Sequence, residues 1–63
     1  GHPGHNAASR FIRAAALRGL GYVAIDKNDF DAAEDFYKRS LKIEPDNPVA
    51  KSELEYIRQH RAN

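Results

Sequence analysis

The side chains that could act as nucleophile and base are three serines and three histidines. A serine attacks a substrate only when a base such as histidine is held within hydrogen-bond distance of its hydroxyl. Ser9, Ser40 and Ser52 have no histidine evidently placed to activate them. Ser40 fits a small-residue packing position instead. We therefore expect no catalytic residue and no enzyme activity.

The residue types present in the chain also disfavour metal and cofactor sites. The chain has no cysteine, which excludes thiolate ligands and disulfides. The acidic residues Asp29, Asp31, Glu34 and Asp35 fit the start of a helix, because a calcium loop would need glycine and regularly spaced oxygens. His2 and His5 have no carboxylate partner nearby in the sequence. We expect no metal and no cofactor.

The charges are balanced in total and uneven along the chain. Ten Lys and Arg against nine Asp and Glu give a net charge of +1. Residues 1–25 hold Arg10, Arg13 and Arg18 without an acid, whereas residues 26–46 are net acidic. These arginines could contact phosphates while Tyr22 stacked on a base, yet they are scattered over a broad arc, which favours a solvated surface. The longest apolar runs are too short to span a membrane. The sequence thus favours neither a nucleic-acid nor a membrane partner.

The elements that must position these residues are three helices in one small domain. Sixty-three residues allow a single domain with a marginal core. The apolar spacing predicts helices over about 6–27, 29–44 and 47–61, and no segment alternates with the period of a strand. We expect residues 1–5 to be a disordered lead-in, which could be a remnant of expression, and residues 6–63 to form the domain.

Turn and cap residues mark the helix boundaries. Asn28 suits the left-handed conformation that ends many helices, and Asp29 suits the N-cap of the next helix. Asn47 and Pro48 fit the N-cap and first position of the third helix. Acid–base pairs four residues apart are predicted on the second helix, joining Glu34 to Lys38 and Asp35 to Arg39.

The first helix carries apolar residues on more than one face. One face is predicted from spacings of four and three residues and holds Ile12, Ala16, Leu20 and Val23. A second stripe has the same kind of spacing and holds Phe11, Ala15, Arg18, Tyr22 and Ile25. Gly19 and Gly21 weaken a helix interior, which suggests close packing against a neighbouring backbone or helix.

Residues 14–47 resemble one tetratricopeptide repeat. That 34-residue repeat has the pattern W-x2-L-G-x2-Y, then A-x3-F, then P. The matching positions in this chain are Leu17-x2-Leu20-Gly21-x2-Ala24, then Ala33-x3-Tyr37, then Pro45. The turn around Asn28 and Asp29 and the junction Ile43–Asn47 also look like those of the family. Leu17 replaces the usual tryptophan, and Ala24 leaves less volume than the usual tyrosine.

The resemblance implies an all-α fold, namely a helix–turn–helix hairpin followed by a third, solvating helix. Such a unit is a three-helix fragment of a right-handed α–α superhelix. At least three repeats are normally needed for stability, and residues 48–61 look like the helix that closes such arrays. The chain is therefore either a minimal domain or the C-terminal piece of a longer array.

The resemblance also implies protein–protein interaction, because the first helix of each repeat lines the groove in which partners bind. The expected partner-binding residues are Phe11, Ala15, Arg18, Tyr22 and Ile25. Two alternatives stay open: a terminal structural cap of a larger scaffold, with this stripe buried against an upstream repeat, and a self-assembling homo-oligomer that pairs the stripe with another copy. The Lys, Asn and Arg clamp with which some family members bind acidic chaperone tails is not matched here. The compartment is not determined, with the cytoplasm expected for a soluble chain.

Overall fold

The computed structural model describes the backbone of residues 3–62 and the side chains of residues 9–62. Helix α1 spans Pro3–Asp26, α2 spans Phe30–Ile43 and α3 spans Pro48–Ala62. No strand occurs in these residues, so the predicted all-α class is confirmed. Helix α2 lies between the other two and packs against both.

The helix boundaries follow from the predicted caps. Asn28 has a φ of 62°, and this left-handed residue lets the Asp29 N–H donate to the Ala24 carbonyl at 2.8 Å. The Asp29 carboxylate then accepts from the Ala32 N–H at 3.3 Å. The Asn47 side chain accepts from the Ala50 N–H at 3.0 Å, which caps α3. Both turns therefore carry the caps that their local sequence predicted.

Helix α1 starts earlier than the prediction of residue 6. It begins at Pro3, a residue type that fits the first helical position because its missing N–H has no partner there. Residues 1 and 2 lie outside the described residues, as do the side chains of His2 and His5. The assignment of residues 6–63 to one domain stays a prediction.

The α1–α2 hairpin is held by one close contact between a glycine and a ring. Tyr37 is 1% exposed, and its ring lies directly against Gly21. A Cβ placed on Gly21 would be 2.5 Å from Cε2 of that ring. The other buried residues of the hairpin are small, namely Ala14, Ala24, Ala33 and Ser40, and the partly buried Ile25, Phe30, Phe36 and Leu41 pack against the core around them. Small residues on both helices let the two backbones approach closely.

Gly19 lies two residues away and makes no such contact. A Cβ placed there would meet nothing within 4 Å. The expectation of close packing is therefore correct for Gly21 and wrong for Gly19, which faces away from α2.

Helix α3 covers α2 with Ala50 and Ile57, both buried, and with the partly buried Leu54. Its last turn is tied down by Arg61, which contacts Asp31 at 2.9 Å and Glu34 at 2.8 Å. This bridge lets the helix continue to Ala62. On the outer side of α2, the predicted pairs of Glu34 with Lys38 and of Asp35 with Arg39 are present. Lys38, and after it Arg61, lower the pKa of the Glu34 carboxyl.

The face of α1 that carries Ile12, Ala16, Leu20 and Val23 is not part of the core. Ile12 is 69% exposed, Leu20 49% and Val23 47%. The buried side of α1 is formed by Ala14, Gly21 and Ala24 instead. The regular spacing correctly predicted that these residues share one face of α1. It did not indicate that this face points away from α2 and is exposed.

The two glycines form a matched pair for testing the hairpin contact. Gly19→Ala should raise the free energy of unfolding by about 0.5–1 kcal/mol, because alanine is the better helix former and nothing crowds the new Cβ. Gly21→Ala should lower it by about 1–2 kcal/mol, because the new Cβ collides with a buried ring that has nowhere to move. Urea unfolding followed by circular dichroism, at one low chain concentration, measures both. Equal effects of the two variants would contradict the close contact at Gly21.

Candidate functional site

The five predicted site residues form a stripe along one side of α1, which we call the groove stripe. Phe11 is 59% exposed and Tyr22 is 66% exposed, and Ala15 between them is exposed as well. Arg18 and Ile25 are half-buried, and Ile25 packs against the core. The stripe therefore consists of two exposed aromatic side chains set on a partly buried base.

Arg18 already forms an ion pair with a residue of the same chain. Its guanidinium donates to Oε1 of Glu44 at 2.5 Å, and both side chains are about four-fifths buried. Glu44 is the C-cap residue of α2, and its Oε1 also accepts from the Asn47 side chain at 3.4 Å. This pair ties α1 to the α2–α3 connection and neutralises the cation of the stripe. Sequence reasoning missed Glu44, because 26 positions separate it from Arg18 and no local pattern links them.

Tyr37 and Glu53 provide the support on the same side of the molecule as Tyr22. The Tyr37 hydroxyl donates to Oε2 of Glu53 at 3.4 Å, which connects α2 to α3. Burial, followed by the negative charge of Glu53, raises the pKa of Tyr37 to about 12, and Tyr22 adds to the rise. The hydroxyl stays protonated at neutral pH and donates to the carboxylate. The region around Tyr22 is thus supported by all three helices.

A cleft of about 460 Å³ opens next to Phe11, between the first half of α1 and the α2–α3 connection. Its walls are formed by Arg10, Phe11, Ile43, Glu44, Pro45, Asp46 and Asn47. The Asp46 side chain is fully exposed, and its Oδ1 lies 3.6 Å from Nζ of Lys51. The sequence indicated a turn at this connection but gave no sign that α1 extends past it to form a second wall.

The remaining chemistry-bearing residues are engaged structurally. Ser40 is fully buried, and its hydroxyl donates to the Tyr37 carbonyl at 2.8 Å. His60 stacks on Phe30 with ring centroids 4.5 Å apart and also approaches Tyr56. Within the described residues there is no group of three or more His, Asp or Glu side chains that could hold a metal ion. Nor do they include a helix long and apolar enough to cross a membrane.

Comparison with known proteins gives one match. The family model of the tetratricopeptide repeat matches residues 14–47, slightly more than half of the 63 residues. These residues run from the buried Ala14 of α1, through the whole of α2, to the N-cap of α3. No curated protein sequence and no solved structure shows significant similarity to the chain.

The raised pKa of Tyr37 can be tested by titration. Neutral Tyr37 stabilises the fold, and this contribution is complete below the ordinary tyrosine pKa of 10 and is lost as the pH rises to about 12. A spectrophotometric titration of tyrosinate should therefore show one late component near pH 12. Tyr37→Phe should abolish that component, and Tyr56→Phe should leave it in place. A late component that survives Tyr37→Phe would contradict the assignment.

Proposed function

Because the chain belongs to the tetratricopeptide repeat family, whose repeats are non-catalytic and mediate protein–protein interactions, we propose that it binds a partner peptide or helix on the groove stripe. It carries no active site of its own under this proposal, since Ser40 is buried and bonded to the backbone. The observation that carries the proposal is the exposure of Phe11 and Tyr22, two aromatic side chains on the same side of α1.

The spacing of the two aromatic side chains sets the length of the partner. They are eleven residues apart on α1, which corresponds to about 16 Å along the helix axis. This distance matches three turns of a partner helix, or about five residues of an extended peptide. Aromatic side chains are enriched among residues that dominate binding energy, and these two would anchor both ends of such a segment.

The charge state of the stripe favours an apolar partner. Glu44 neutralises Arg18, so the middle of the stripe presents no free cation to an acidic peptide. The cleft beside Phe11 has an apolar side formed by Phe11, Ile43 and Pro45, and could take one apolar side chain of the partner. Apolar contacts along the stripe, with one side chain inserted in the cleft, are the expected mode of binding.

The two alternatives from the sequence remain predictions. A terminal cap of a larger scaffold and a self-assembling homo-oligomer both require a surface that another helix covers. The exposed face with Ile12, Leu20 and Val23 is such a surface, and it is separate from the groove stripe.

The partner-binding role of Tyr22 can be tested with a peptide library. Peptides selected on the wild-type chain from a random display library should bind Tyr22→Asp more weakly by about tenfold or more. The reason is that the variant replaces an aromatic ring, which the bound peptide would cover, with a charged carboxylate. Helicity should not change, since the Tyr22 side chain is mostly exposed.

Tyr56→Asp is the matched control, because Tyr56 is an exposed tyrosine on α3, 46% exposed and away from the stripe. Affinities measured by fluorescence anisotropy should be unchanged for this variant. Selected peptides that bind Tyr22→Asp and Phe11→Glu as tightly as the wild type would contradict the proposal. A loss of helicity in Tyr22→Asp would place Tyr22 in the core instead.

The role of Glu44 predicts a change of specificity. Glu44→Gln removes the charge that holds Arg18, and the freed guanidinium can then pair with a partner carboxylate. A selected peptide with an added acidic residue should gain up to about tenfold in affinity for this variant, and gain little for the wild type. Isothermal titration with the acidic peptide and its amide counterpart measures the difference. An equal preference in both chains would show that Glu44 does not mask Arg18.

A further inference from the structure

Helix α1 has an exposed apolar face that neither the core nor the groove stripe uses. We call it the outer face of α1 and define it by Ser9, Ile12, Ala16, Gly19, Leu20, Val23 and Asp26. Ile12, Leu20 and Val23 are each about half exposed or more, although all three are large apolar residues on one small domain. An exposed apolar face on a helix is a candidate interaction surface.

The spacing of this face is the same when it is read from either end. Its central line runs through residues 9, 12, 16, 19, 23 and 26, with successive separations of 3, 4, 3, 4 and 3. This is the heptad spacing with which two helices pair along a seam. A symmetric pattern matches a second copy of itself in the antiparallel direction, with the twofold axis between residues 17 and 18.

We propose that a second copy of this chain docks on the outer face, with the two α1 helices antiparallel. Ile12 then contacts Val23 of the second copy, and Ala16 contacts Gly19 of the second copy. A Cβ on Gly19 would meet nothing within 4 Å in the single chain, so the centre of the face is open to the second backbone. Leu20 flanks this centre and packs over the side of the opposing helix.

The charges of α1 favour the antiparallel direction. Arg13 lies in the first half of the helix at the edge of the outer face, and Asp26 ends the helix, whereas Arg10 lines the cleft on the other side of α1. In an antiparallel pair, Asp26 of each copy faces Ser9 of the other and lies within a turn of its Arg13. A parallel pair would instead place Arg13 of one copy beside Arg13 of the other. Antiparallel helices also bring opposite ends of their dipoles together.

The exposure of the first part of α1 also favours antiparallel pairing. Residues 9–13 are exposed all around the helix, because α2 packs only against the part of α1 that follows them. In the proposed pair this exposed segment lies against residues 22–26 of the second copy. Each copy thus covers the segment of the other copy's α1 that α2 leaves exposed.

The outer face and the groove stripe are adjacent but distinct, so this inference does not depend on the proposed function. Phe11 and Ile12 are neighbours in sequence, both large, apolar and mostly exposed, and they lie on different sides of α1. They provide a matched pair of variants that separates self-association from partner binding.

Sedimentation equilibrium over a concentration series tests the pairing. The wild-type chain should form a dimer, and Ile12→Glu should raise its dissociation constant by about tenfold or more. Phe11→Glu should leave the dissociation constant within about twofold while weakening the binding of selected peptides. Circular dichroism should show that both variants keep their helicity. A wild-type chain that stays monomeric, or a dimer that Phe11→Glu disrupts and Ile12→Glu does not, would overturn the proposal.

The direction of pairing is tested by crosslinking through single cysteines, since the natural chain has none. Ala16→Cys places the two thiols close to the twofold axis, and a short bismaleimide should join them. Val23→Cys places the thiols about 16 Å apart along the axis, and the same reagent should not join them. Efficient crosslinking of Val23→Cys would indicate a parallel pair and overturn the antiparallel arrangement.

Discussion

The contact between the Tyr37 ring and the backbone at Gly21 determines how the other parts of the molecule fit together. It sets the separation of α1 and α2, because no side chain stands between the ring and the helix. With the helices this close, Arg18 can reach Glu44 at the end of α2. The Tyr37 hydroxyl extends the same connection to Glu53 on α3. The Tyr37 side chain thus contacts both of the helices that pack on α2.

The parts of the fold that the sequence predicted are those set by neighbours in the chain. Asn28, Asp29 and Asn47 act on backbone groups within a few residues, and their roles in the structure are the ones expected of them. The ion pairs on α2 follow from helical spacing in the same way. The resemblance supplied the family, which the match to residues 14–47 confirmed, and the order of three helices, which the structure shows.

What the sequence could not supply depends on distance along the chain or on a choice between faces. Helix α1 is apolar on several sides, so its periodicity shows that it is a helix without showing which side is buried. The side with the smallest residues is the one that packs, because Tyr37 from α2 provides the volume that α1 lacks. The partners Glu44 for Arg18 and Asp31 for Arg61 come from other helices, and no local pattern predicts them.

The use of small residues at the α1–α2 contact has a consequence for the surface. Among the described residues, the largest fully buried side chains are Tyr37 and Ile57, a small core even for a chain of this length. Five large apolar or aromatic residues of α1, Phe11, Ile12, Leu20, Tyr22 and Val23, are exposed instead, while Leu17 and Ile25 are partly buried. A domain with little buried area gains much from covering such residues with a partner. The small residues in the core that let the hairpin close therefore leave α1 with two surfaces that carry exposed apolar residues, the groove stripe and the outer face.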